Sequence, residues 1–389
     1  MYKLFFILVS FISIFNCKNI NKKEISKNEI PTLVAANNKE TNTKNTEIVF
    51  CLDATGSMGG LIGTAKEKIW DIVSELAKSN DIDTLKMGMV FYRDRGDNFI
   101  TKRIAITADL DEAYSDLLEI TANGGGDTPE SVNQALNESI TTMLWSTNPK
   151  TYKTIFVVGD CPPHMDYKDD ILYSESCKKA AEKGIIINTI KLGNGCEEAI
   201  YHFKKMAECT NGEFLKLDQD ATDYSIATPY DSEINNISKD IDASRIYYGT
   251  HQEREENYTK KAKSMEVYDK GSATANSSRA EYKNSKVGKK AAFGTQEIIK
   301  DYKSGKLKLD LIEDEKLPEE LKGKSTIEKE YLIKDLINKR DTNDKKLKDL
   351  IEKKNAYIKS KKTNQKDTTS FSKEVYKIMD KQSKSQKSL

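Results

Sequence analysis

The chain has 389 residues, of which 32% are charged, and a mean hydropathy of −0.65. That is too polar for one packed core throughout, so two or three domains joined by tether or solvated helix are expected. The formal net charge of +1 hides an acidic block: residues 47–229 hold 18 Lys and Arg against 30 Asp and Glu, which suits a divalent cation or a basic partner and argues against nucleic acid.

The first stretch, MYKLFFILVSFISIFNCKN, places one Lys ahead of an apolar run from Leu4 to Phe15. The run is short for a membrane span and fits the core of an export signal. It ends at Asn16-Cys17, and the position of Cys17 resembles a bacterial lipoprotein signal. There the Cys is lipidated and becomes the mature N-terminus. An ordinary secretory signal with an incidental Cys is the alternative. The expectation is a signal over 1–17 and a lipid anchor at Cys17. The chain is then exported to the cell envelope and held at the outer membrane or cell surface. Residues 18–46, rich in Asn, Lys, Thr and Glu without a period, read as a flexible tether.

From 47 the pattern is regular. EIVFCLD is a buried strand, 60–78 a helix with one apolar face, KMGMVFYRD a strand, and 100–107 a more polar edge strand. DLDEAYSDLLEITA and TPESVNQALNESITTML read as helices, the second opening at Pro129 with Thr128 as its cap. TIFVVGD, GIIINTIKL and a short stretch at 213–217 are strands, with helices near 174–183 and 196–209 between them. Such alternation means an α/β fold: a doubly wound, mostly parallel open sheet with helices on both faces, over 47–222. Ligands of these sheets sit beyond the carboxyl ends of the strands. Asp53 and Asp160 both stand there, 107 positions apart.

After 222 the composition shifts. Residues 223–316 have few aliphatic side chains and read as extended or partly helical. Residues 317–389 read as a Lys-rich amphipathic helix or short coiled coil with a disordered tail. Ser325 and Glu328 form a capping box there, and the apolar steps lapse between Lys339 and Lys346.

Three segments share the strand-end side of the sheet: Asp53-Ala54-Thr55-Gly56-Ser57, GGGDTPE at 124–130, and Gly159-Asp160-Cys161-Pro162-Pro163-His164. They offer carboxylates and hydroxyls, the hard oxygen donors that suit Mg²⁺ or Mn²⁺. This set resembles the metal-ion-dependent adhesion site of von Willebrand factor type A (VWA) domains, whose first motif is Asp-x-Ser/Thr-x-Ser. Asp53, Thr55 and Ser57 meet that motif, Thr128 matches the separate threonine, and Asp160 the final aspartate. The wording of the motifs is most similar to a bacterial subgroup that includes the domain beside alpha-kinase modules, and no kinase signature accompanies it. The resemblance implies a Rossmann-like VWA fold in which Ser57 and either Thr55 or Thr128 coordinate the ion directly, while Asp53 and Asp160 bind mostly through water. An open position then takes a Glu or Asp of a partner protein.

Asp127 reads as either an acid behind the ligands or a plain loop acid, and His164 as a group behind the ligands at the rim. For His164 a solvent-facing loop position is the competing reading, and for Asp94 an ion pair with a neighbouring Arg. Cys51 reads as a core thiol. Pairing among Cys161, Cys177, Cys196 and Cys209 is open, with Cys196 and Cys209 one candidate pair. The function expected is an envelope-anchored, metal-dependent protein-binding module and not an enzyme. A structural lipoprotein whose metal only stabilises the head, or an accessory subunit of an envelope enzyme, are the alternatives.

Overall fold

The computed structural model describes residues 44–78, 82–219, 225–362 and 370–385. Cys17, the signal segment and the tether as far as residue 43 lie outside these. The strands are β1 (Lys44–Asp53), β2 (Ile82–Tyr92), β3 (Thr101–Thr107), β4 (Tyr152–Gly159), β5 (Ile185–Leu192) and β6 (Phe214–Leu217). They form one sheet in the order β3-β2-β1-β4-β5-β6, parallel except for the edge strand β3. The first strand begins at Lys44, three positions before the apolar run, because Thr46 and Glu47 pair with both neighbours.

Alternate residues of β1 enter opposite cores, as a strand buried on both faces requires. Ile48, Phe50 and Leu52 pack against α1 (Gly59–Ala77) and α2 (Leu110–Leu118). Val49 and Cys51 face α3 (Val132–Thr141), α4 (Tyr173–Glu182) and α5 (Ala199–Glu208). The expected doubly wound α/β fold is therefore present, with a mainly helical region after it.

That region is α6 (Asp231–Ala243), α7 (His251–Lys270), α8 (Ala273–Asn284), α9 (Lys286–Phe293), α10 (Ile298–Lys303), α11 (Thr326–Lys362) and α12 (Phe371–Ser385). Residues 231–303 are more helical than their composition suggested. The missing aliphatic contacts are replaced by polar ones. Arg279, fully buried on α8, forks onto Asp111 of α2 at 2.6 and 2.7 Å. Lys283 reaches the same carboxylate at 3.0 Å. Burial alone would raise the Asp111 carboxyl, but Arg279 and Lys283 hold it well below the ordinary range.

Helix α11 opens on the Ser325–Glu328 capping box, as read, with the Ser325 hydroxyl donating at 2.7 Å. It runs through the lapse at 339–346. Arg340 points inward there and makes a two-pronged pair with buried Glu297 at 3.1 Å. Residues 371–385 form α12, which takes in the first three residues of the SKSQKSL tail at 383–389; residues 386–389 lie outside the described residues. In α12, Phe371, Val375, Ile378 and Met379 join the core under β1 and β4, and the Gln382 amide exchanges hydrogen bonds with Asn188 of β5. Among the described residues no helix is long and apolar enough to cross a membrane.

Candidate metal centre

Strands β1 and β4 are neighbours in parallel register, with Leu52 opposite Val158, so Asp53 and Asp160 leave the sheet at the same edge. The chain turns at once after Asp53. The Thr55 backbone N–H donates to Asp53 Oδ1 at 2.9 Å and its hydroxyl donates to the same oxygen at 2.7 Å. The Ser57 hydroxyl lies 3.3 Å from that of Thr55. Asp53 and Thr55 are buried, while Ser57 is exposed. One carboxylate and two hydroxyls are thus fixed on a single turn before α1.

The glycine run closes this turn from the side. Gly124 and Gly125 have φ of 81° and 84°, which residues other than glycine rarely adopt. The Gly56 N–H donates to Gly124 O, and the Asn123 N–H donates to Ala54 O, both at 3.0 Å. Beyond the run the expected helix start moves. Thr128 lies exposed in a bend and caps nothing; α3 begins at Val132 after Ser131. The reason is hydrogen bonding across the site. The Glu130 N–H donates to Pro162 O, His164 N–H donates to Glu130 O, and Ser131 N–H donates to Arg93 O. These draw 130–131 into an extended pairing with 162–164 before a helix can form. Among the described residues no hydrogen bond ties Thr128 to Asp53 or Thr55.

The same pairing brings in a residue that sequence reading missed. Glu130 is 4% exposed. Burial pushes its carboxyl up to about 9, with the Asp53, Asp94, Asp160 and Asp97 charges adding to it. Burial likewise pushes Asp53 up to about 7, against the opposing hydrogen bonds from Thr55 and with a further rise from Asp160. Asp160 accepts from Gln219 at 3.2 Å through Oδ2. Among the described residues, Asp53 Oδ2, Glu130 Oε2 and Asp160 Oδ1 are buried without a hydrogen-bond partner. Three buried acids with orphaned oxygens, two of them raised by burial, fit a dication, since a bound positive charge satisfies all of them.

Residues 47–219 match the family model of the von Willebrand factor A domain. This segment is a VWA domain. Over 118 residues the chain is 29% identical to an ariadne-like RING finger protein of Acanthamoeba polyphaga mimivirus, a stretch that covers 30% of this chain. It spans 11% of that protein's own length. Two structures of proximal thread matrix protein 1 from the mussel byssus align over 46% of this chain and 43% of theirs at 12% identity, with TM-scores of 0.33 and 0.34.

Beside the first cluster the VWA domain gathers a second. His164 is 3% exposed, not solvent-facing. Its Nε2 stands 3.3 Å from Asp94 Oδ2 and 3.7 Å from Asp127 Oδ2, and its Nδ1 contacts Asp166 at 2.8 Å. Asp94 has no Arg partner among the described residues. It accepts instead from the Ser131 and Tyr167 hydroxyls at 2.9 and 3.1 Å. Neighbouring Arg93 turns to the carbonyls of Ala54 and Thr121, and Arg95 to Asp169 and Asp170. Glu130 in TPE and Asp94 in YRDRGD belong to no ligand motif legible in the sequence; backbone pairing of 130–131 with Pro162, His164 and Arg93 brings them to the rim.

The cysteines pair as Cys161–Cys196 and Cys177–Cys209. The Cys196–Cys209 pair is not formed, because α5 lies between the two and holds them at opposite ends. One bridge thus ties the residue after Asp160 to the loop after β5. Cys51 is free and its thiol is pushed up to about 12 by burial, which suits a core residue.

Proposed function

We propose that the VWA domain binds Mg²⁺ or Mn²⁺ at its strand ends and, through it, a Glu or Asp carboxylate of a partner protein. The observation that carries this is the set of three orphaned buried oxygens on Asp53, Glu130 and Asp160 beside the Thr55 and Ser57 hydroxyls. A VWA domain is a protein-interaction module, and members of the family often bind a divalent metal. Thr55 and Ser57 would hold the ion with Asp53 and Asp160, and Thr128 would join from the exposed bend. Glu130 sits behind them as a buried carboxyl. When bound, the ion supplies an open coordination position for a hard anionic oxygen. The chain's own part is to fix the hydroxyls through Asp53 and to keep the carboxylates dry. No catalytic group is proposed.

We also propose that lipidation of Cys17 places this head at the cell envelope. Replacing Cys17 by Ser should then release the chain from the membrane fraction, and unchanged fractionation would reject the anchor. The metal reading is tested by thermal unfolding with and without Mg²⁺ or Mn²⁺. At about a hundred times its dissociation constant the ion should stabilise by ~2.7 kcal/mol. The rise should vanish in Asp53→Asn, and partner capture should be lost in EDTA. Equal capture with and without EDTA would defeat the metal-bridge reading.

A further inference from the structure

His164 is the one histidine of the strand-end loops, and its surroundings are built like those of a ligand. The Nε2 atom is buried and has no hydrogen-bond partner among the described residues. It faces the carboxylates of Asp94 and Asp127, and the three donor atoms lie within 4.8 Å of one another. We propose that His164, Asp94 and Asp127 form a second cation site of the VWA domain, one that takes a transition-metal dication of the Zn²⁺ class.

Three features carry the assignment. The first is spacing. Bonds of about 2.0–2.1 Å at tetrahedral angles place ligand atoms about 3.3–3.5 Å apart. Asp94 Oδ2 and Asp127 Oδ2 stand 3.3 and 3.7 Å from Nε2, and all three donor atoms lie within 4.8 Å, so an ion would draw exposed Asp127 inward. The second is the layer behind the donors. Asp166 at Nδ1 orients the imidazole so that Nε2 faces Asp94 and Asp127, the carboxylate contact that ligating histidines usually make with their other nitrogen. The Ser131 and Tyr167 hydroxyls orient Asp94. Tyr167 also stacks on the imidazole at 3.9 Å, with Arg95 over its other face. The third is charge. Asp94, Asp127 and Asp166 surround one imidazole, so the cluster stays anionic even when that ring is protonated.

The donor set separates this site from the oxygen-only one. Mixed imidazole and carboxylate ligands favour Zn²⁺, Co²⁺ or Ni²⁺ over Mg²⁺. Different side-chain atoms are used at the two sites, although Glu130 touches both regions, its carboxyl raised by burial and then by the Asp53 charge, and its backbone oxygen accepting from His164 N–H. Three protein ligands leave one position open, and Asp127 gives access to it from solvent.

The test is a Co²⁺ titration of the full chain, stripped by chelator and held in saturating Mg²⁺, read by visible absorption and calorimetry. One equivalent of Co²⁺ should give a low-symmetry visible band that Zn²⁺ displaces. His164→Gln and Asp94→Asn should abolish the band, while Asp53→Asn should keep it. Conversely, Mg²⁺ stabilisation should be lost in Asp53→Asn and kept in His164→Gln. Since His164 and Asp94 are buried, Asp127→Asn is the variant least able to disturb folding, and it should weaken Co²⁺ at least about tenfold. No band in folded wild type would mean an imidazolium–carboxylate cluster only and would overturn the site. So would a band unchanged in Asp127→Asn and His164→Gln.

Discussion

A β-carbon on Gly159 would lie 3.1 Å from Asp53 Oδ2 and collide with the Tyr92 hydroxyl. The end of β4 therefore passes the Tyr92 hydroxyl closer than a side chain allows, with the Asp53 carboxylate tight beside it. Tyr92 cannot yield easily, because it is fully buried and donates to Val158 O at 3.1 Å. Gly159→Ala should cost about 1–3 kcal/mol, as overpacking does. It should also weaken Mg²⁺ binding by displacing Asp53. Calorimetric titration of a folded Gly159→Ala variant that binds Mg²⁺ like wild type would show that this approach is irrelevant to the site.

The raised acids predict how pH acts on the metal-free domain. Asp53 moves from 3.8 to about 7 and Glu130 from 4.5 to about 9. Across the window above their ordinary values, the native state keeps protons that the unfolded chain has lost. Stability should therefore fall as pH rises from about 4 to 7, with the Glu130 share continuing to about 9. Urea midpoints in EDTA at pH 5, 7 and 8 measure this. Saturating Mg²⁺ should flatten the slope, since the ion takes the place of the protons, and Asp53→Asn should reduce the slope in EDTA. A midpoint that rises with pH in EDTA would contradict the raised values.

Arg279 and Asp111 join the helical region to α2 across 168 positions. Arg279→Leu would leave Asp111 and Asp242 buried with Lys283 as their nearest remaining cation. Breaking one side of a buried pair costs about 3–5 kcal/mol. The double variant with Asp111→Leu should recover part of that. Chemical denaturation checks both, and a single-variant loss under about 1 kcal/mol would mean water replaces the guanidinium.

Helix α12 contributes to the sheet core, so its loss should not behave like trimming a tail. The Phe371 ring is 1% exposed and sits 6.4 Å from that of Phe50, which itself stacks on Phe156. Phe371→Ala should destabilise by about 3–5 kcal/mol. Urea unfolding of that variant at wild-type stability would show that α12 is dispensable to the core.

The sequence by itself determined the sheet and much of its rim. Strands such as TIFVVGD are continuous apolar runs bounded by polar turns, so their period and order are local properties. Asp53, Thr55, Ser57 and Asp160 were legible because a motif confined to one turn, or one strand end, carries its geometry with it. What lay between distant segments was decided only by the tertiary structure. Glu130 and the Asp94–Asp127–His164 cluster depend on which loops hydrogen-bond across the rim. Thr128 was misplaced because backbone pairing to 162–164 outweighed a local capping pattern. The same holds beyond the VWA domain. Arg340 and Arg279 look like surface charges in a Lys-rich stretch, yet each is buried against a carboxylate many positions away. A buried ion pair leaves no periodic trace in the chain, because its partner, and not its own polarity, permits the burial.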